Sequence, residues 1–180
     1  MPGCRYALLL RAVNLGSHGK VAMVELRALL ESLGHADVAT YLQSGNAVVT
    51  APVTDPAELA RQVEGELARK LGVTTSVLVR TGPELAAVVT ANPFPDAVAD
   101  PARLHVVFLA SRPDPERAAA LDPTAYAPDL FHLGDRAVYL RYRTSPGRSR
   151  LGPAVGKMYG VVGTARNWNT VLALTRLTAS

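Results

Sequence analysis

Seven residues in two short stretches have the types and spacing to hold an anion: Arg11, Asn14, Ser17, Lys20, Gln43, Ser44 and Asn46. A guanidinium and an ammonium supply charge, and amides and hydroxyls supply the directed hydrogen bonds that orient a phosphate or carboxylate. A second basic set lies near the C-terminus: Arg141, Arg143, Arg148, Arg150, Lys157 and Arg166. After Asp135 the chain has no aspartate or glutamate, yet it has seven arginines and one lysine, so its last 45 residues carry +8. At the chain's average acid content, such a stretch would hold about four acids. Positive potential of this kind attracts phosphates and raises encounter rates. Residues 141–150, Arg-Tyr-Arg-Thr-Ser-Pro-Gly-Arg-Ser-Arg, interleave phosphate-contacting and base-stacking side chains, which suits RNA or single-stranded DNA as much as it suits a solvated basic loop.

Catalytic chemistry is thinly represented. His18, His35, His105 and His132 show no metal-ligand spacing, and no pattern in the chain implies a metal or cofactor. Cys4 is the single cysteine, which excludes an intrachain disulfide. Ser44 sits in Gln-Ser-Gly-Asn rather than in a nucleophile elbow. The stretch Asn14–Lys20 resembles a phosphate-binding loop, but Gly-x4-Gly-Lys-Ser/Thr fails at Asn14 and Val21, which excludes a nucleotide triphosphatase of that type. His18 beside Lys20 and Ser44 is the one acid–base set left for an enzyme.

The elements that position these residues follow from periodicity. Tyr6–Leu10 is a short apolar run suited to a central strand, and Met23, Leu26, Leu29, Leu30 and Leu33 recur at helical spacing. Val38–Leu42 and Ala47–Thr50 read as a hairpin around Gln43–Asn46. Asp55-Pro56 with Glu58 opens a helix through Leu59, Val63, Leu67 and Leu71, and Thr75–Val79 is a fourth strand. The resulting β-α-β-β-α-β order predicts a ferredoxin-like unit over residues 1–80, with antiparallel strand order 4-1-3-2. Right-handed crossover then brings Asn14–Lys20 beside Gln43–Asn46 at one sheet edge. The helix after Lys20 has no obvious side-chain cap, so its free N–H groups could take an anion.

A capping box at Thr81 and Glu84 and the break Asn92-Pro93-Phe94-Pro95 put a boundary near 81–95. Residues 81–180 read as a second, related α+β half: a strand at Leu104–Leu109, a helix from Asp114 to Leu121, a hairpin around Gly134-Asp135, and two closing helices near 150–161 and 167–177. No sequence repeat is visible between the halves. Asn167 is a natural N-cap, and Trp168, sharing a face with Val171, Leu172 and Leu174, reads as a core anchor. Arg166 either contacts an anion or ties this helix to the sheet. Composition, with 48% hydrophobic residues and no long apolar run, points to a soluble cytoplasmic protein with no membrane partner.

Leu9–Gly16 running on to Tyr41-Leu42-Gln43-Ser44-Gly45-Asn46, together with Thr164-Ala165-Arg166-Asn167-Trp168-Asn169-Thr170, resembles the domain-of-unknown-function 1697 family of bacterial proteins. The resemblance implies a two-part α+β protein of ferredoxin-like topology and implies no activity. The chain departs from the family's usual Arg-Gly-Ile-Asn by carrying Ala12-Val13, and Ser17-His18 stands where glycine and a basic residue are common. Three functional readings follow. The first is a binding protein for a phosphate-rich ligand, either nucleic acid or a phosphorylated small molecule. The second is a small enzyme at the Arg11–Asn46 edge. The third is an interaction scaffold built on Trp168. The acid-free tail favours the first.

Overall fold

The computed structural model describes residues 3–15, 19–52 and 54–179, so Ser17 and His18 lie outside the described residues. The chain divides into two compact units, Met1–Leu85 with Leu174–Ser180, and Ala86–Ala173. No helix among the described residues is long and apolar enough to cross a membrane.

The first unit runs β1 (Gly3–Leu10), α1 (Met23–Ser32), β2 (Ala36–Tyr41), β3 (Asn46–Pro52), α2 (Pro56–Leu71) and β4 (Val77–Thr81). Its sheet has the order β2-β3-β1-β4, with every pairing antiparallel. This is the ferredoxin-like order expected from the sequence. Tyr6, Leu8 and Leu10 alternate onto the face covered by α1 and α2, where they meet Leu26, Leu30, Leu59, Val63 and Leu67. Each of the fully buried leucines contributes roughly 1.5–3 kcal/mol by leaving water. The boundaries of α2 follow from local chemistry. Asp55 Oδ1 accepts the Ala57 amide at 3.0 Å, and Gly72 ends the helix at φ +63.

The strand expected at Thr75–Val79 begins two residues later, at Val77. The Thr75 hydroxyl donates to the Arg11 carbonyl at 2.5 Å, so this β-prone residue serves the loop instead.

The second unit contains the end of α3 (Gly82–Thr90), then β5 (Leu104–Leu109), α4 (Pro115–Ala119), β6 (Leu130–Leu133), β7 (Ala137–Arg141), α5 (Leu151–Tyr159) and β8 (Gly163–Asn167), with α6 (Trp168–Ala179) following. Its antiparallel sheet has the order β6-β7-β5-β8. Periodicity predicts only two closing helices here, and the structure places β8 between them. The inward positions of β8 are Thr164 and Arg166, so the strand carries no apolar alternation to betray it.

The two halves match in detail. Leu10 N–H donates to Gly45 O at 2.8 Å in the first, and Leu109 N–H donates to Arg136 O at 2.9 Å in the second. Arg11 N–H to Ser76 O (2.9 Å) corresponds to Ala110 N–H to Val162 O (2.8 Å). Arg80 faces Ala7 just as Arg166 faces Val106, and each is the penultimate residue of its strand. Both arginines are buried, and each donates to the carbonyl before it, Val79 O at 2.9 Å and Ala165 O at 2.8 Å. The next residue caps a helix in both halves: Thr81 Oγ1 accepts Glu84 N–H at 3.3 Å, and Asn167 Oδ1 accepts Thr170 N–H at 2.9 Å. The repeat lies in register and hydrogen bonding, which sequence comparison of the halves does not display.

Candidate functional site

The loop after β1 and the turn after β2 do meet. Asn14 joins them: its Nδ2 donates to Val21 O at 2.8 Å and to Gln43 O at 2.7 Å, and its Oδ1 accepts Val21 N–H at 2.8 Å. Asn46 is buried and donates from Nδ2 to Tyr41 O and to Ser44 Oγ, both at 2.9 Å. Both asparagines, expected as ligand contacts, therefore spend their amides on the loops themselves. Gln43 takes part through its backbone carbonyl, while Lys20, Gln43 and Ser44 are exposed.

The start of α1 is also served from within. Glu25 reaches back to the Ala22 N–H at 3.3 Å, which places a carboxylate where an anion was expected. Three non-glycine residues here hold left-handed backbone: Ala12 at φ +52, Asn14 at +57 and Leu42 at +57. Asparagine tolerates that conformation, but alanine and leucine adopt it at a cost.

Arg11 lines a cleft of about 500 Å³ together with Glu64, Thr74, Thr75 and Ser76, above Val13 and Val73. The Glu64 carboxylate is fixed by accepting the Val77 amide at 2.7 Å.

In the second unit, strand alternation sorts the basic segment. Val138, Leu140 and Tyr142 pack with α5 residues Leu151, Val155, Met158 and Tyr159. Arg141 and Arg143 fall on the opposite side of the backbone. Tyr142 N–H donates to Arg103 O at 2.9 Å, which extends the ladder past β7 and brings Arg103 alongside. Arg103, Arg141 and Arg143 line one cleft of about 270 Å³ with Asp96, Asp100 and Leu130. Arg103 pairs with Asp100 at 3.1 Å, both about half exposed, so the pair is worth at most about 1 kcal/mol.

Asp129 sets the shape of the loop that follows. Its carboxylate accepts Arg143 N–H at 2.7 Å and the Ser149 hydroxyl, and Ser149 Oγ accepts Leu151 N–H at 3.0 Å at the start of α5. Burial together with the Asp129 charge pushes the Tyr142 phenol up to about 12, so it stays protonated at neutral pH. Arg148, Arg150 and Lys157 are exposed and lie outside the lining of the cleft. Arg103 and Asp129 were missed in the sequence because both precede the acid-free stretch.

Arg166 does not belong with the surface cations. It is 6% exposed and donates to Thr164 Oγ1 at 2.8 Å, and burial lowers its pKa to about 10. Asn167 is the N-cap expected of it, and Trp168 is 2% exposed with Val171 and Leu174 fully buried. An interaction scaffold presenting Trp168 loses its anchor. Trp168 Nε1, His105 Nδ1 and His35 Nε2 are buried without hydrogen-bond partners. Desolvation lowers the pKa of both histidines.

Two ferredoxin-like sheets in matching register, one with a polar clasp and the other with an arginine cleft, define an α+β protein of duplicated plan. The chain belongs to the family described as protein of unknown function (DUF1697), whose model matches residues 4–139. The segment carrying Arg141 to Arg150 lies beyond the matched residues. The fold is similar to that of the conserved bacterial protein SP0830 from Streptococcus pneumoniae, with a TM-score of 0.77 and 22% identity over 98% of this chain and 99% of that one. No curated protein matches the chain.

Proposed function

We propose that the protein binds a phosphate-rich anionic ligand, a nucleic acid or nucleotide, through the arginine-lined cleft of its second unit. The observation that carries this reading is the convergence of Arg141 and Arg143, from the acid-free segment, with Arg103 on one cleft. Guanidinium groups on one wall can grip successive phosphate oxygens bidentately. The cleft wall also includes Leu130, 41% exposed, as an apolar surface for a base or sugar. Residues 6–11 and 47–50 lack the pair of stacking aromatics that RNA-recognition sheets use, which favours backbone contacts over base readout.

The test is a titration of fluorescent single-stranded RNA with nuclease-treated protein at low and moderate salt, beside a variant with Arg141, Arg143, Arg148 and Arg150 replaced by glutamine. Saturable binding that weakens steeply with salt and disappears in the variant supports the proposal. A nucleoside monophosphate as competitor separates polymer from mononucleotide recognition. Absence of both RNA and mononucleotide binding at low salt removes it.

A further inference from the structure

The matched halves separate what the fold needs from what it does not. The buried arginine and the capping residue after it occur in both units, which marks them as structural. The backbone bond from Arg11 to Ser76 also has its counterpart, between Ala110 and Val162. Its side chains do not. Where the second unit places Ala110, Val161 and Val162, the first places Arg11, Thr75 and Ser76. Arg11, Thr75 and Ser76 thus put polar side chains where the second unit has apolar ones, and they line the cleft of about 500 Å³ that Glu64 also borders. The cleft is held at both ends through the backbone, by Thr75 on the Arg11 carbonyl and by Glu64 on the Val77 amide. Ala12, on its wall, holds a left-handed φ of +52 that costs energy in an L-residue.

We infer that this cleft is a binding site for a small zwitterion, an α-amino acid with a short aliphatic side chain. Arg11 takes the carboxylate and the outer oxygen of Glu64 takes the ammonium. The hydroxyls of Thr74 and Ser76 complete the polar shell, and Val13 and Val73 receive the side chain. A polyphosphate is disfavoured because Glu64 faces the same space, and a simple carboxylate leaves Glu64 without its cation.

The test is an amide-resolved NMR titration of the whole protein with L-valine, with 3-methylbutanoate and isobutylamine as single-charge probes. Valine is expected to give saturable shifts at Arg11–Val13 and Val73–Ser76. Each single-charge probe binds at least about tenfold more weakly, the factor set by one charge-assisted hydrogen bond. Arg11→Gln abolishes the shifts while the rest of the spectrum is retained. Glu64→Gln, which keeps an acceptor for the Val77 amide, reduces valine to the affinity of 3-methylbutanoate. Lack of saturable shifts with valine overturns the inference, as does equal binding of valine and 3-methylbutanoate by the unaltered protein. RNA binding at the other cleft is independent of either result.

Discussion

Replacing Asn14 by alanine deletes three hydrogen bonds at once, the two donated to Val21 O and Gln43 O and the one accepted from Val21 N–H. At a net worth of about 1 kcal/mol each, the loss is about 3 kcal/mol, reduced somewhat because Asn14 is partly exposed and water can enter. Position 14 also holds φ +57, which alanine adopts less readily than asparagine, adding roughly 0.5–1 kcal/mol. The expected destabilisation is about 2–4 kcal/mol, read as a lower urea midpoint at unchanged m-value. Asn14→Gly loses the same bonds but not the conformational tolerance, so the difference between the two variants isolates the backbone contribution. Hydrogen exchange should quicken at Val21 before it does elsewhere. A change below about 0.5 kcal/mol in Asn14→Ala would refute the clasp. Unchanged stability with lost ligand binding would return Asn14 to the list of ligand contacts.

Four further outcomes follow from the geometry. Gly45→Ala would press a Cβ against the Val13 side chain and to 2.9 Å from Leu10 Cβ at φ +77, destabilising by about 2–3 kcal/mol in the same urea assay. Arg166→Ala leaves Thr164 Oγ1 and Ala165 O without their buried donor and should cost about 3 kcal/mol while leaving RNA affinity intact. His105 and His35 have folded pKa values lowered by burial. Because the unfolded chain then binds more protons, stability is complete above their unfolded pKa of about 6.5 and declines as pH falls below it. His105→Phe, which keeps an aromatic ring edge-on to Tyr142, should flatten part of that decline, read by thermal melts from pH 7.5 to 5. The single tryptophan, Trp168, should emit at short wavelength and resist iodide quenching, as its 2% exposure requires.

The first sheet was legible because its signals are local. Leu8 and Leu10 sit in an unbroken apolar run, and α1 and α2 show leucines at helical spacing with a cap or a glycine at their ends. The meeting of the Asn14 loop with the Gln43 turn followed from crossover handedness alone. What failed to show was of three kinds. β8 turns threonine and arginine inward, so hydrophobic alternation cannot find it. Thr75 has strand propensity but is held in a loop by a hydroxyl-to-carbonyl bond made across 64 positions of sequence. Arg103 joins Arg141 and Arg143 only through the pairing of β5 with β7, a long-range register that no composition count contains. Charge counting ignores burial, so it leaves Arg166 open between an anion contact and a structural tie, and its 6% exposure favours the tie.

The salt dependence of RNA affinity, measured for the parent protein and two variants, bears most directly on the arginine cleft. Three guanidinium groups meeting phosphates of a single strand give a slope of about −2 in log K against log salt. Arg141→Gln with Arg143→Gln should bring that slope close to about −0.7 and weaken binding, whereas Arg148→Gln with Arg150→Gln, outside the cleft, should leave it near the parent value. Equal effects of the two pairs, or a slope near zero in the parent, would contradict the account.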